Sequence, residues 1–401
     1  MKVLVADKFE KSGLEGLKQI GAEVVYEPDL NGDDLARRLK ETGAKVLIVR
    51  STKVTASMLD GVPLGLIIRA GAGYNTIDVA AASALGILVS NCPGKNGKAV
   101  AELAFGLMLA ADRRIPDNVN ELREGRWNKK AFSAGRGLHG RMLGLIGMGN
   151  IGQEMIPRAK AFGMYVNCYS RWMLPEVAAA LGIGRSDSLL EVAKQSDFVS
   201  VHVALTPETK GLIGREFFNA MKDGAVFVNT SRAEVVDQKA LLEATSSGRI
   251  FACLDVFEGE PAGGTGGYDG PMREAKGVYC THHIGASTEQ AQEAVAQETV
   301  RIVKEYKLTG VAPNVVNVRT SDQATHLIVV RHADRVGVLA HVMGVLKDEG
   351  INIQEMENVV LGGSQAAIAQ MSTNGAPSPE GVERMRLNSS IFDVHIIAIE
   401  R

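Results

Sequence analysis

The sequence predicts an α/β protein with two mostly parallel sheets and a smaller α+β domain behind them. Three observations carry this: short apolar runs recur at helix-length intervals, the runs fall into two sets, and the pattern changes from about Thr325 onward. The first set lies within residues 1–95 and comprises 2–6, 45–49 and 66–70. The second lies within about 140–285 and comprises 142–147, 164–169, 198–203, 225–229 and 250–256. Each run ends near Gly, Ser, Asp or Asn, and runs apolar on both faces are strands covered by helices on both sides. Glycine, at 44 residues, exceeds the usual share of about 7%, as many tight βα turns require.

Residues 97–114 join the two sets as a helix apolar over most of its surface, so it must be buried, either between domains or against a second subunit. Pro157 should kink the helix in which it falls. After residues 320–323, a linker, come a strand (326–330), a helix (338–349), two strands (351–359 and 365–371), a polar helix and a last strand (391–399). That βαββαβ order marks a separate α+β domain. Residues 259–271, rich in glycine, read as a flexible loop.

Lys plus Arg (44) and Asp plus Glu (46) nearly cancel, which excludes a chain built to coat nucleic acid or an acidic membrane. No apolar stretch reaches the roughly 18 residues a membrane span needs. The start of the chain lacks the pattern of a signal peptide. Cys92, Cys168, Cys253 and Cys280 stand far apart, with no CxxC pair and no zinc-ligand spacing, and read as reduced, buried thiols of a cytoplasmic protein without a metal.

The most informative local motif is Gly147-Met-Gly149-Asn150-Ile151-Gly152, directly after one apolar run and before a helical stretch. Gly147 permits the turn, Gly149 lets backbone approach a pyrophosphate, and Gly152 allows close helix–strand packing, so this is a Rossmann-type dinucleotide site. The next run ends in Ser170-Arg171 where an NAD site carries an acid. Arg171 can pair with a 2′-phosphate, which favours NADP; as a surface arginine beside a tolerant site it leaves NAD open.

Three later runs deliver Arg232, Asp255 with Glu260, and His282 with His283 to strand ends, where open α/β sheets bind ligands. An Arg, a carboxylate and a His are what hydride chemistry on a 2-oxo or 2-hydroxy acid needs: an anchor for the substrate carboxylate, an orienting group, and a proton carrier for the C2 oxygen.

These motifs resemble the D-2-hydroxyacid dehydrogenase family over nearly the whole chain and, with the C-terminal domain, its phosphoglycerate-oxidising members. The matched segments are Val49-Arg-Ser-Thr-Lys53, Arg69-Ala-Gly-Ala-Gly-Tyr-Asn-Thr-Ile-Asp78, Asn91-Cys-Pro93 with Val100-Ala-Glu-Leu103, the Gly147 motif, Ser231-Arg-Ala-Glu-Val-Val-Asp237, Leu254-Asp-Val-Phe-Glu-Gly-Glu-Pro261 and His283-Ile-Gly285. The resemblance implies Arg232, Glu260 and His283 as the catalytic set. His282, where the family usually has Pro, leaves open which histidine acts, and Glu234 is an added carboxylate able to compete for Arg232.

It further implies Asp255, His202, Thr206, Thr230, Ser231, His283 and Gly285 along the cofactor, and Arg50, Lys53, Arg69, Gly71, Lys129 and Lys130 with Arg232 around the substrate. Oxidation of 3-phosphoglycerate to 3-phosphohydroxypyruvate, at the start of serine synthesis, is the implied reaction. If the basic residues form only a solvated rim, the activity is an NADP-linked glyoxylate or hydroxypyruvate reductase, and a corepressor-like dinucleotide sensor is the non-enzyme alternative.

The resemblance also implies a flavodoxin-like substrate domain interrupted by the cofactor domain: residues 1–96, then 97–285 for the dinucleotide, then a return over 286–319 beginning with an amphipathic helix at 286–308. Residues 324–401 resemble an ACT regulatory domain. In serine-regulated relatives the effector lies across a two-fold interface at positions matching His332, Asp334 and Asn352, which makes L-serine a candidate effector and a dimer or tetramer the expected assembly. Asp334 replaces a usual Asn, and a purely structural dimerisation module is the alternative.

Overall fold

The computed structural model describes residues 1–261, 265–318 and 324–399, in two compact units, Met1–Asn317 and Val318–Arg401. The expected linker at 320–323 and part of the 259–271 loop lie outside the described residues.

In the first unit β1 (Lys2–Val5), β2 (Glu23–Tyr26), β3 (Val46–Val49), β4 (Leu66–Arg69) and β5 (Leu88–Asn91) form one parallel sheet in the order β2-β1-β3-β4-β5, the flavodoxin-like order. Its seven-stranded neighbour contains β6 (Met142–Ile146), β7 (Tyr165–Tyr169), β8 (Gly184–Arg185), β9 (Phe198–Val201), β10 (Val226–Asn229), β11 (Phe251–Leu254) and β12 (Val278–Cys280). Their order, β12-β11-β10-β9-β6-β7-β8, is the doubly wound dinucleotide-binding order with one strand added.

The long apolar runs become strands because both their faces are covered: every residue of β3, β9 and β10 is buried. The apolar helix Gly97–Arg113 is buried within the chain itself, packed on helix Asn150–Ala161 and on β10 and β11. The return helix runs from Glu289 to Thr309, capped at its N-terminus by the Thr288 hydroxyl, and lies against helix Lys11–Gln19 on the first sheet, with Ile302 and Val303 fully buried. Burial of one such side chain is worth about 1.5–3 kcal/mol.

The helix Asn150–Ala161 continues through Pro157, and beside the missing donor the Glu154 carbonyl takes a bond from the Arg158 guanidinium at 2.8 Å. One expectation needs correction. Cys280, on the edge strand β12, is exposed, whereas Cys92, Cys168 and Cys253 are buried.

The second unit is an antiparallel sheet of β13 (His326–Ala333), β14 (Ile353–Val360), β15 (Ala366–Thr373) and β16 (Ile391–Ala398) in the order β14-β15-β13-β16, with helices Val338–Asp348 and Pro379–Arg386. Ile328, Val330, Ala369 and Met371 from the strands pack against Val342, Val345, Leu346 and Met385 from the helices. No helix among the described residues is long and apolar enough to cross a membrane.

Candidate active site

Strand ends of both sheets in the first unit open on a cavity of about 660 Å³ lined by Arg50, Arg69, Gly71, Arg232, Glu260 and His283, together with Lys8, Glu10, Glu234, Gln292 and others. Arg232 arrives from the turn after β10, whose shape is set by Asn229. The Asn229 Oδ1 accepts from the Ser231 N–H and hydroxyl at 2.9 and 2.7 Å, and its Nδ2 donates to the Arg232 carbonyl at 2.9 Å. One arm of the guanidinium donates to the Ser231 carbonyl at 2.6 Å.

His283 adopts a left-handed backbone (φ 51°), uncommon for a side chain with a Cβ. Buried Asp255 holds that turn: its carboxylate accepts from the Thr281 hydroxyl at 2.6 Å and from the N–H groups of Ile284 and Gly285, both at 2.8 Å. Gly285 is needed there, since a Cβ would press on the same carboxylate at 2.9 Å.

The His283 Nδ1 lies 2.8 Å from Glu260 Oε2, while Glu260 Oε1 accepts from the Phe257 N–H at 2.9 Å. The hydrogen bond to Glu260 pushes the His283 pKa up; partial burial opposes it, and the charges of Glu260 and Asp255 add to the rise. Burial pulls the Glu260 pKa upward, yet its bonds to His283 and Phe257 and the charges of His283 and Arg232 leave it below the ordinary value. Glu260 therefore stays ionised and orients the imidazole through Nδ1, an arrangement that leaves Nε2 available for proton exchange.

The cationic side of the cavity is strained. Burial, then the charges of Arg232 and Arg50, lowers the Arg69 pKa to about 10, and its buried Nε has no hydrogen-bond partner. Three guanidiniums facing one space call for an anion of more than one charge. Lys53, Lys129 and Lys130, expected here, are exposed and do not line the cavity. Only Lys53 lies in a matched segment, and such a match does not say which way a side chain faces. Glu234 lines the cavity, but among the described residues it makes no ion pair with Arg232, and His282 is exposed and absent from the lining.

The residues expected along a dinucleotide also come together, at the ends of β6, β7, β9 and β10. Gly147 has φ 97°, Gly149 has open space where a Cβ would stand, and a Cβ on Gly152 would collide with the Gly147 carbonyl. Gly149 leads into helix Asn150–Ala161 without a side-chain cap, so the first amides of the helix, at Asn150 and Ile151, are open to an anion. His202 is fully enclosed, bonded through Nε2 to the Ser200 hydroxyl at 2.8 Å, and kept neutral by burial with a pKa near 3. Its Nδ1 and the buried Thr230 Oγ1 lack partners. A glycine cradle plus two orphaned buried polar atoms fit a nicotinamide dinucleotide. Ser170 and exposed Arg171 follow β7, and Thr206 begins the turn after β9.

In the second unit His332 is buried, with Nδ1 on the Ala333 carbonyl at 2.8 Å and Nε2 on Asn358 Oδ1 at 3.1 Å. The strand register pairs His332 with Ala367, and Ala367 with Val360, at the end of the sheet near Asp334. Asn352 precedes Ile353, which pairs with Thr373 at the opposite end, so one chain does not bring the three expected effector residues together. Sequence reading missed Asp7 and Gln292, whose partners are remote in sequence, and Asn229, whose role in the local turn no motif marked.

Residues 105–285 match the family described as D-isomer specific 2-hydroxyacid dehydrogenase, NAD binding domain. The D-3-phosphoglycerate dehydrogenase of Methanocaldococcus jannaschii is 42% identical over 320 residues, 79% of this chain and 59% of that protein. The chain thus spans about three fifths of that relative's length. The hydroxypyruvate reductase of Thermotoga maritima is 43% identical over 308 residues, 76% of this chain and 98% of that one. The solved TT0316 protein from Thermus thermophilus superposes with a TM-score of 0.70 at 34% identity, covering 79% of this chain and all of that one.

Proposed function

The chain belongs to the D-isomer specific 2-hydroxyacid dehydrogenases, and from that premise we propose that it oxidises 3-phosphoglycerate to 3-phosphohydroxypyruvate, the step that opens serine synthesis. The observation that carries this reading is the convergence of Arg50, Arg69 and Arg232 on the cavity that holds His283 and Glu260. A carboxylate needs one guanidinium, which Arg232 supplies; Arg50 and Arg69 then match a dianionic phosphate.

In that direction His283, neutral at first, takes the hydroxyl proton at Nε2, and Glu260 stabilises the resulting imidazolium through Nδ1. The bound dinucleotide supplies the hydride acceptor for C2. Ser170 and Arg171 favour NADP over NAD, because Arg171, exposed just past β7, can pair with a 2′-phosphate.

A second reading is an NADP-linked hydroxypyruvate or glyoxylate reductase, favoured by the position of Lys53, Lys129 and Lys130 outside the cavity. Initial rates with 3-phosphoglycerate, and in reverse with phosphohydroxypyruvate, hydroxypyruvate and glyoxylate, decide between them. A strong preference for the phosphorylated pair is expected; turnover of only the small acids overturns the first reading.

The protein is further proposed to be a cytoplasmic homo-oligomer. Helix Ile115–Arg123 has no buried residue and exposes Ile115, Val119 and Leu122 along one face, followed by Trp127. Nine residues are too few for a stable isolated helix, so a second copy covers it. The second unit is proposed as an ACT-type effector domain for L-serine, with His332 and Asp334 from one copy and Asn352 from another. Inhibition by L-serine that vanishes in Asn352→Ala is the expected result, and indifference to serine makes the unit a dimerisation element.

A further inference from the structure

We propose that Asp7 and Gln292 are positioning residues for Arg50, holding its guanidinium ready for the phosphate end of the substrate; this rests on the phosphorylated-substrate reading. Asp7 stands just past β1, beside the loop that follows β3. A single carboxylate oxygen, Oδ2, accepts three successive backbone N–H groups, from Arg50 at 2.6 Å and from Ser51 and Thr52 at 3.0 Å each. Such a run of converging amides is an anion-binding nest. Here it is filled from within the protein, so anion recognition at this corner falls to the Arg50 side chain.

The other end of Arg50 is fixed from a remote element. Its Nη1 donates to Gln292 Oε1 at 2.9 Å, and Gln292 lies in the first turn of the return helix Glu289–Thr309. Gln292, Arg50 and Ser51 line the cavity, as do Lys8, Phe9 and Glu10 immediately after Asp7. A neutral amide acceptor holds the guanidinium in place while leaving its full charge for the ligand, which a carboxylate at 292 could not do. Fixing both backbone and head group in advance removes most of the ordering cost of a flexible arginine when substrate binds.

The two functions Asp7 could serve differ in sign. As a charge screen near Arg69 and Arg50, it weakens anion binding, so its removal tightens binding. As a positioning group, its removal loosens binding even though net positive charge rises. Reduction of phosphohydroxypyruvate and of hydroxypyruvate is compared in wild type, Asp7→Ala, Asp7→Asn, Gln292→Ala and Arg50→Ala, with melting temperature and cofactor fluorescence titration as controls on folding.

The expected result is that Asp7→Ala and Gln292→Ala raise KM for the phosphorylated acid about tenfold more than for hydroxypyruvate, with a smaller change in kcat, and that Asp7→Asn, which keeps an acceptor oxygen, restores most of the loss. A lower KM in Asp7→Ala, or equal losses for both substrates, overturns the assignment. If Arg50→Ala abolishes the preference for phosphate while both positioning variants keep it, the substrate reading stands and this inference fails. If wild type itself shows no preference, the phosphate subsite falls and the inference with it. Gln292→Ala carries the test alone if Asp7→Ala does not fold.

Discussion

Gly73 lies directly beneath the guanidinium of Arg232: a Cβ built on it would fall on Nη2. Gly71 stands in the same relation to Arg69, with φ 148° besides. The loop after β4 is thus a bare strip of backbone on which two cavity-lining cations rest, and its glycines are there for room. Gly73→Ala is expected to displace Arg232 and raise KM for the 2-hydroxy acid about tenfold or more, the scale of a lost charge-assisted pair. Cofactor affinity by fluorescence titration should stay near wild type, since the Gly147 cradle is elsewhere in the unit. Unchanged KM would mean that Arg232 does not hold the substrate.

The pairing of His283 with Glu260 makes a prediction about pH. The pKa of His283 is raised by Glu260, and in the proposed reaction the neutral imidazole is the form that accepts a proton from the hydroxy acid. Rates of oxidation should therefore rise with pH through a pKa above the roughly 6.5 of free imidazole. In Glu260→Gln that limb should move to lower pH, because the neutral amide no longer stabilises the imidazolium, and kcat should drop as orientation is lost. An unmoved limb would separate the two residues functionally.

Replacement of the histidines tests which one acts. His283→Gln is expected to keep dinucleotide binding and lose about 10²–10⁴ in turnover, the usual scale for a general acid–base group. His282→Gln, altering an exposed side chain outside the cavity, should have little effect. The reverse pattern would assign the proton transfer to His282.

The parts of the fold legible in the sequence are those buried on both faces. β6, β9, β10 and β11 read plainly because each is a continuous apolar run ending in a polar turn. β2 and β8 escaped because they are edge strands of four and two residues with half-exposed or exposed side chains and no period. β5 escaped for another reason: its last two residues, Ser90 and Asn91, are polar yet buried, satisfied by the Pro313 and Ala72 carbonyls. Arg232, Glu260 and His283 were legible because each sits shortly after a strand end. Asp7 and Gln292 were not, because their partners lie 43 and 242 positions away. Lys53 misled because a place in a motif does not say which way a side chain faces, and Lys129 and Lys130 because a basic pair in sequence does not say where it folds.

A network at the return helix yields a stability prediction. Buried Glu298 accepts from Arg301 at 2.6 Å, Asn314 at 2.7 Å and Lys95 at 3.2 Å, tying that helix to the segment where the chain leaves the first sheet. The Arg301 bond above all, against the opposing effect of burial, holds the Glu298 carboxyl down to about 2, from 4.5. A depressed carboxyl pKa contributes stability above the unfolded value, and that contribution fades as pH falls toward the folded one. Glu298→Gln should thus lower the melting temperature at pH 7, at a cost of about 1–3 kcal/mol, with the gap to wild type closing between pH 4.5 and pH 2. A gap independent of pH would show that shape rather than charge sets the contribution.

The adenosine end of the cofactor site carries the last prediction. Because β9, β6 and β7 are neighbours, the turns after β7 and β9 flank the Gly147 cradle, one bringing Arg171 and the other Glu208. The Thr206 hydroxyl, then the Glu208 backbone N–H and the charge of Arg171, hold the Glu208 carboxyl below its ordinary value. On the proposed NADP reading, Arg171 would attract a 2′-phosphate and Glu208 would repel one, so the preference would be a difference between opposed charges. Arg171→Ala should weaken NADPH binding about tenfold while sparing NADH, and Glu208→Gln should strengthen NADPH binding by a smaller factor, both read by direct titration. Because these charges are exposed, both effects should shrink at high salt. Equal losses for the two cofactors in Arg171→Ala would mean that the arginine contacts a part common to both, and the preference for NADP would then have no residue to support it.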